Sequence, residues 1–173
     1  IIMTKKVLYI IKSGGNIIDN PEALDIFLHD FSSIDFPKVL IHGGGKIASQ
    51  LAEKMGIPTK MIDGRRITDK DTIDLVTMVY GGLINKKIVA KLQSRAINAI
   101  GLTGADAACV VSEKRPITPI DYGFVGDVEK VHPQPLVNLL SHGITPVVAP
   151  LTHDGKGTML NTNADTVASE LAV

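Results

Sequence analysis

The chain has 173 residues, 45% of them hydrophobic, which is enough to bury one core of ordinary size, and no linker-like stretch divides it. Lysine plus arginine and aspartate plus glutamate both total 18, so no net positive charge attracts nucleic acid or anionic lipid, and any anion site has to be built locally. A single cysteine, Cys109, excludes an intramolecular disulfide, and no apolar run has the length of a membrane span or the flanks of a signal peptide. We therefore expect one cytoplasmic domain over residues 1–173 whose function lies in a pocket.

The first 56 residues repeat one pattern, in which a short apolar strand, a glycine turn and a helix follow one another. The predicted elements are a strand over Val7–Ile11 that ends at Lys12, a turn over Ser13–Gly15, a helix over Pro21–Phe31, a strand over Val39–Ile41, a turn over His42–Gly45, and a helix that carries Ile47, Leu51 and Met55 and ends at Gly56. Short apolar strands that alternate with helices are typical of an α/β fold with a mainly parallel sheet.

The next segment departs from this rhythm. Asp63-Gly64 separates two short apolar runs within Lys60–Thr68, which is the local signal for a β-hairpin. From Asp69 a long helix is predicted, and Gly81-Gly82 should bend or thin it. Its apolar positions are Ile73, Val76, Val79, Tyr80, Ile84, Ile88 and Leu92. This helix is a candidate dimer face.

The remainder predicts further strands and helices. In chain order they are strands over Ala96–Thr103, Cys109–Ser112 and Phe124–Val131, the last two forming a hairpin across Pro116–Asp121, a helix over Pro135–Ser141, a strand over Thr145–Ala149, a turn at His153–Lys156, and a helix over Asn163–Val173. The final helix stops on an apolar residue without a glycine or polar cap, so we expect the natural chain to continue beyond it.

The turn after the first strand has the residues of a phosphate cradle. Gly14 and Gly15 let backbone N–H groups approach an anion closely at a strand end, and Lys12 supplies a positive charge. A tight turn beside a solvated lysine explains the same residues, so this segment alone leaves both interpretations open.

The second turn is richer in glycine than a change of direction requires. Gly43, Gly44 and Gly45 follow a strand and open a helix, at the edge where open α/β sheets bind ligands. Close approach of the backbone to a ligand is the natural reason for three glycines in a row. We interpret His42, which precedes them, as a packed or hydrogen-bonded histidine rather than a base.

Other glycine motifs fit this turn less well. The chain has no Gly-x-Ser-x-Gly elbow to provide the nucleophile of an esterase, and neither Gly45-Lys46 nor Gly155-Lys156 completes a Walker A loop. Gly43, Gly45 and Ala48 do satisfy a relaxed dinucleotide fingerprint, although the acidic residue at the right distance, Asp63, belongs to the predicted hairpin turn. A dinucleotide-binding oxidoreductase therefore stays the alternative.

Two polar clusters complete the site residues. Arg66 or its neighbour Arg65 could hold a carboxylate in a bidentate fork, and because adjacent strand residues point to opposite faces, only one should reach the pocket. Asn163 could cap the last helix with Asp165 in its first turn. Capping leaves Asn161 unexplained, and an aspartate near a phosphate-binding lysine would orient that lysine.

Taken in order, these segments resemble the N-acetylglutamate kinase family, a branch of the amino-acid kinases. The resemblance runs from Lys5 to the last residue and rests on IIKSGGN, KVLIHGGGK, DGRRITD, GGLINKKIV, GFVGDV, PVVAP and LNTNAD. It implies the N-terminal half of an αβα three-layer sandwich with a mainly parallel open sheet, which binds the acylglutamate and forms a homodimer. The C-terminal, nucleotide-binding domain, which the resemblance assigns to ATP with Mg²⁺, is expected to lie outside residues 1–173.

The resemblance also implies roles for single residues. Lys12 is similar to the lysine that stabilises the transition state, and Asp165 to the residue that organises the catalytic lysines. Gly44 and Gly45 resemble the backbone that grips the acylglutamate and the phosphoryl group, with Gly14, Gly15 and Gly43 beside the transferred phosphate. Arg66 resembles the partner of the substrate's α-carboxylate and Asn161 another substrate contact. No residue is assigned to a metal.

The implied reaction is ATP-dependent phosphorylation of the side-chain carboxylate of N-acetyl-L-glutamate or a related N-acylglutamate, the second step of arginine biosynthesis. An aspartate or glutamate kinase is the near alternative. The chain departs from the family pattern at Ser13, Arg65 and Thr162. Because Arg65 and Thr162 flank substrate contacts, the acyl group stays open between acetyl and succinyl.

Overall fold

The computed structural model describes residues 7–173, so Lys5 and Lys6, which open the stretch that carries the resemblance, lie outside the described residues. The strands are β1 (Tyr9–Ser13), β2 (Lys38–His42), β3 (Met61–Ile62), β4 (Arg65–Arg66), β5 (Ala99–Thr103), β6 (Val110–Lys114), β7 (Gly126–Val131), β8 (Thr145–Ala149), β9 (Leu151–His153) and β10 (Met159–Asn161). The α-helices are α1 (Gly15–Ile18), α2 (Pro21–Ser33), α3 (Gly45–Lys54), α4 (Lys70–Val76), α5 (Asn85–Gln93), α6 (Gln134–Ser141) and α7 (Ala164–Leu171). A π-helix spans Thr77–Ile84 and a 3₁₀ turn spans Asp106–Ala108.

A four-stranded parallel sheet forms the centre of the fold, in the order β1-β2-β8-β5. Every residue of β2 is buried, as expected for a strand covered on both faces. Leu40 packs into one hydrophobic cluster, whereas Val39 and Ile41 pack into another, because successive side chains of a strand point to opposite faces. The α/β class with a mainly parallel sheet is therefore confirmed.

The two clusters define the outer layers. Residues of α2, α3, α4, the π-helix and α5 pack on one face of the sheet, with Phe31, Ile88 and Leu92 among the buried side chains. On the other face lie α6 and α7, represented by Leu136 and Val167, together with side chains of β6 and β7. The result is the three-layer arrangement that the sequence predicted.

A second, mixed sheet has the order β10-β9-β6-β7. The hairpin that was predicted across Pro116–Asp121 is confirmed, since β6 and β7 pair antiparallel. Their register shifts between Val111 and Ser112. The pairing of β9 with β10 was missed from the sequence, where only the turn between them was predicted. Each of these strands has three residues, which is too short to show an alternating pattern.

Strand boundaries near the first turn differ from the prediction. β1 runs over Tyr9–Ser13 rather than Val7–Ile11, so Lys12 lies within the strand, and His42 is the last residue of β2. The register pairs Ser13 with His42. Pairing with a neighbour fixes the end of a strand, and composition alone does not contain that information.

The long helix after Asp69 is also more elaborate than predicted. In place of a bend at Gly81-Gly82, the chain passes from α4 through a π-helix of eight residues into α5. The apolar residues that predicted this helix are buried in the chain's own core, so a dimer contact here would have to use its outer side, where Met78 and Leu83 are exposed. Among the helices of residues 7–173, none is long and apolar enough to cross a membrane.

Candidate active site

The two glycine turns meet at one edge of the central sheet. β1 and β2 are adjacent and parallel, so both chains leave the sheet at the same side. The Gly43 N–H donates to the Ser13 carbonyl over 3.0 Å. A Cβ placed on Gly43 would lie 3.5 Å from the Gly15 nitrogen. The turns therefore form one continuous surface.

This surface presents free backbone donors. Within residues 7–173, the N–H groups of Gly14, Gly15, Gly44 and Gly45 have no hydrogen-bond partner. Gly45 is the first residue of α3, a helix of 10 residues, so the positive end of its dipole adds to these donors. Unpaired N–H groups at a helix start favour an anion such as a phosphate or a carboxylate.

Gly44 could not be replaced without strain. Its φ angle is +149°, a backbone conformation that residues other than glycine rarely adopt. An added Cβ would also overlap Ile84 Cδ1 and would lie 3.5 Å from the Tyr80 ring. The turn thus packs directly against the π-helix, and that packing sets how close the backbone can come to a ligand.

Lys12 and Asp165 form an ion pair beside the first turn. Lys12 Nζ lies 2.9 Å from Asp165 Oδ1, with 28% of the lysine side chain and 72% of the carboxylate side chain exposed. Asp165 is held in the first turn of α7, whose N-cap is Asn163, and that helix packs on β1. A Cβ on Gly14 would lie 3.6 Å from Lys12 Nζ, so the ammonium group sits over the turn. The structure brings these residues together as the sequence predicted.

A cavity of about 220 Å³ opens next to the second turn. Its lining residues are Gly43, Gly44, Gly45, Met61, Gly64, Arg65, Arg66, Tyr80, Arg115, Val125, Gly126, Pro150, Asn161, Thr162, Asn163 and Ala164. It includes five of the nine predicted site residues. Gly14 and Gly15 line an open depression that shares Gly45 with the cavity, while Lys12 and Asp165 line neither.

Arg66 is a buried, hydrogen-bonded charge in the cavity wall. It is only 7% exposed, and its Nη2 atom donates to the Gly45 carbonyl over 2.9 Å and to Ser49 Oγ over 2.8 Å. Its Nη1 atom donates to Thr59 Oγ1 over 3.3 Å. No carboxylate of residues 7–173 pairs with it. A buried guanidinium without an anionic partner is suited to a carboxylate ligand.

The prediction that only one of the two adjacent arginines reaches the pocket was wrong. Arg65 is exposed but also borders the cavity, so both residues of the two-residue strand β4 line it. On the opposite wall, the Asn161 amide donates to Thr68 Oγ1 over 3.1 Å, and Thr162 Oγ1 lies 2.7 Å from Thr152 Oγ1. Asn161 is therefore oriented by a buried hydroxyl.

Three further residues belong to the site although the sequence did not single them out. Tyr80 lines the cavity, and burial raises the pKa of its hydroxyl group, opposed by the nearby Arg66 guanidinium. Arg115 forms an ion pair with Asp127, whose pKa is lowered first by that hydrogen-bonded contact. Asp19 lies beside Gly15, and burial raises the pKa of its carboxyl group, opposed by Lys46. No motif marks these residues. Only the folded chain brings Tyr80 and Arg115 to the cavity, whereas Asp19 is close to Gly15 along the chain.

His42 is buried and linked to the second turn. Its Nδ1 atom lies 2.9 Å from the Gly43 carbonyl, and its Nε2 atom lies 3.1 Å from the side-chain nitrogen of Asn85. Burial lowers the pKa of the imidazole to about 4, so the ring is neutral at pH 7. The interpretation of His42 as a hydrogen-bonded histidine rather than a base is consistent with this geometry.

Comparison with known proteins finds matches over nearly the whole of this chain. The family model described as "Amino acid kinase family" matches residues 8–173. Acetylglutamate kinase from Cytophaga hutchinsonii is 72% identical over 167 residues, which cover 96% of this chain and 63% of that protein. Acetylglutamate kinase from Phocaeicola vulgatus is 59% identical over 168 residues, covering 97% of this chain and 65% of the relative. The chain thus spans slightly less than two thirds of the curated relatives it matches.

A solved structure supports the same fold. The crystal structure of smu.665 from Streptococcus mutans superposes with a TM-score of 0.84 at 28% sequence identity, covering 97% of this chain and 68% of that chain. The resemblance that the ordered motifs indicated is therefore confirmed by sequence and by architecture.

Proposed function

This chain belongs to the amino acid kinase family, and on that premise we propose that the full-length protein phosphorylates the side-chain carboxylate of N-acetyl-L-glutamate, or of a related N-acylglutamate, with ATP. By full-length protein we mean a protein of the same length as the curated relatives that contains this chain. The reaction is the second step of arginine biosynthesis. The proposal is carried by one observation, the joined glycine turns with free N–H groups between the Lys12–Asp165 pair and the Arg66 cavity.

The substrate is proposed to bind along the cavity. Arg66 pairs with the α-carboxylate, since it is buried, fixed by three hydrogen bonds and has no anionic partner within residues 7–173. The reacting carboxylate then points towards Gly44 and Gly45, whose N–H groups are free. Asn161, held by Thr68, contributes a further polar contact to the substrate.

Catalysis on this surface requires positioning and charge neutralisation rather than a base. A carboxylate is already ionised at neutral pH, so no proton has to be removed before it attacks phosphorus. Lys12 neutralises charge on the transferred phosphoryl group, with Gly14, Gly15 and Gly43 forming the wall beside it. Asp165 holds the lysine in place through the 2.9 Å ion pair.

The nucleotide is proposed to bind mainly to the part of the protein beyond residue 173. The residues of this chain that fit a phosphoryl group are the cation of Lys12 and the free N–H donors of the turns. Within residues 7–173, no cluster of three His, Cys, Asp or Glu side chains is placed to hold a metal. Mg²⁺ usually binds through nucleotide phosphates and one or two carboxylates, and we assign it to ATP.

We propose residues 1–173 as the acylglutamate-binding and dimerisation domain. The homodimer, like the cytoplasmic location, stays a prediction from the sequence. Size-exclusion chromatography with light scattering on this chain measures the assembly, and a monomer at all concentrations would contradict the dimer proposal.

The residues that line the cavity are compatible with either an acetyl or a succinyl group on the substrate. Arg65 borders the cavity in addition to Arg66, whereas Arg115, which also lines it, is paired with Asp127, so the cavity can offer a second cation besides the one that an α-carboxylate requires. The decisive experiment measures ADP release by the full-length protein with N-acetylglutamate and N-succinylglutamate in parallel. Release with either substrate supports the proposed class. No release with both, together with activity on aspartate or free glutamate, would identify a different amino-acid kinase.

A dinucleotide-dependent oxidoreductase is the remaining rival. Its acidic residue would be Asp63, which is exposed in the β3–β4 turn with a φ angle of +49°. In the dinucleotide fold this residue follows the second strand, where it reaches the ribose. Titration with NADH by fluorescence is the corresponding test, and saturable binding would favour the rival.

A further inference from the structure

A buried hydrogen-bond chain connects the second glycine turn to the start of α5. Asn85 and His42 are both 0% exposed. The Asn85 side-chain nitrogen donates to the Val147 carbonyl over 3.0 Å, and its oxygen accepts from Lys86 Nζ over 3.2 Å. These two contacts fix which atom of the amide is nitrogen, because a carbonyl only accepts and an ammonium group only donates.

The orientation of Asn85 determines the tautomer of His42. Since the Asn85 nitrogen can only donate, His42 Nε2 must accept and carries no proton. His42 Nδ1 must then carry the proton and donate to the Gly43 carbonyl, 2.9 Å away. Both hydrogen bonds are therefore donated in the same direction, from Asn85 to His42 and from His42 to the Gly43 carbonyl.

The direction of the Gly43 carbonyl in turn fixes the next N–H group. The Gly43–Gly44 peptide is trans, so its planar geometry makes the Gly44 N–H point away from the Gly43 carbonyl. The carbonyl is held on the buried side by His42, while the Gly43 N–H is held by Ser13. The Gly44 N–H thus points to the opposite side of the peptide from His42, and it has no partner within residues 7–173. Gly44 is itself buried, but it lines the cavity.

We infer that Asn85 and His42 are positioning residues that hold the Gly44 N–H in the orientation required to stabilise the transferred phosphoryl group. This inference rests on the proposed function for the identity of the anion, whereas the hydrogen-bond chain itself does not. Neither side chain lines the cavity proposed for the substrate. A donor fixed before the reaction stabilises developing charge without reorganisation, which is why a buried polar chain is useful at this position.

The tautomer is tested on the chain itself, independently of any activity. Nitrogen NMR of the ¹⁵N-labelled protein at pH 7 should show a protonated, pyrrole-type Nδ1 and an unprotonated, pyridine-type Nε2 for His42. Replacement of His42 by asparagine identifies the resonances. The opposite tautomer, or a protonated ring, would overturn the inference even if the kinase activity is found.

Two substitutions of His42 separate positioning from simple packing. His42→Asn keeps a donor close to the position of Nδ1 and loses the contact with Asn85, whereas His42→Gln keeps a polar atom near Nε2 and loses the donor to Gly43. In the full-length protein, kcat should fall by up to about 10²-fold in His42→Gln, the limit set by complete loss of the Gly44 donor, and by about 10-fold or less in His42→Asn. The KM for the acylglutamate should change by a smaller factor than kcat.

Equal loss of kcat in the two variants would overturn the positioning role. Where His42→Gln does not fold, as judged by circular dichroism, Gly101→Ala provides a second approach from outside the site. A Cβ on Gly101 would overlap the Asn85 side-chain oxygen and would displace this amide from His42. Unchanged kcat in folded Gly101→Ala protein would also overturn the inference. A wild-type protein with no activity on any N-acylglutamate refutes the proposed function instead, and leaves the NMR experiment to decide the hydrogen-bond chain.

Discussion

Acid should destabilise this fold through a single buried histidine. Burial lowers the pKa of His42 from 6.5 to about 4, so between these values the unfolded chain binds a proton that the folded chain excludes. The contribution of the neutral His42 to the free energy of unfolding is therefore fully present well above pH 6.5 and is lost as the pH falls towards 4. Between pH 7.5 and pH 4.5, this difference corresponds to a loss of about 2.5 kcal/mol in the free energy of unfolding.

The assay is urea denaturation of the chain, followed by circular dichroism at several pH values between 7.5 and 4.5. His42→Asn removes the titrating group, so its stability should change by about 2.5 kcal/mol less than that of the wild type over this interval. His29→Asn, on the exposed side of α2, is the matched control and should follow the wild type. Parallel curves for wild type and His42→Asn, within about 0.5 kcal/mol, would refute the assignment of the pH dependence to His42.

Other substitutions test the site and the core. Lys12→Ala in the full-length protein should lower kcat far more than it weakens acylglutamate binding, measured by steady-state kinetics and calorimetry; equal, small effects would contradict its role. Arg66→Lys should raise the KM for the acylglutamate by about 10-fold or more through loss of the planar fork, and an unchanged KM would argue against carboxylate binding there. Gly44→Ala should lower the free energy of unfolding by about 1–3 kcal/mol because of its φ angle and the overlap with Ile84, measured by urea denaturation; unchanged stability would show that the turn relaxes freely. Cys109, whose pKa burial raises to about 11, should react with iodoacetamide at pH 8 much more slowly in the folded chain than in urea, and equal rates would contradict its burial.

The structural features that the sequence predicted correctly are those that depend on local chain geometry. Gly43 to Gly45 were predicted as a turn between a strand and a helix, and they do connect β2 with α3, whose first residue is Gly45. Asn163 was predicted as a cap, and its side chain does accept from the N–H groups of Asp165 and Thr166. These features are encoded within a few residues, so a single sequence contains the signal.

The parts that the sequence did not indicate depend on contacts between distant segments. Arg115 reaches the cavity only because β6 lies in the second sheet, and the pairing of β9 with β10 involves strands of three residues. In the sequence, nothing distinguishes Asn85 from the other polar residues of its helix. In the folded chain, its side-chain nitrogen lies 3.1 Å from His42 Nε2. Charge and spacing along the chain do not encode such distances.

Where the sequence predicted a bend, the chain has a π-helix at Thr77–Ile84, and this has a consequence for insertions and deletions. In an α-helix each residue turns the chain by about 100°, so the number of residues in this segment sets the rotational phase between α4 and α5. Before it, Ile73 and Val76 must face the core; directly after it, Asn85 must face His42. A π-helical turn holds more residues than an α-helical turn, so the segment accommodates an extra residue while both flanks keep their faces. Removing that residue should restore a regular α-helix and leave Asn85 facing the imidazole, whereas adding one more would rotate Asn85 out of line with it, although no residue of the active site itself had been changed.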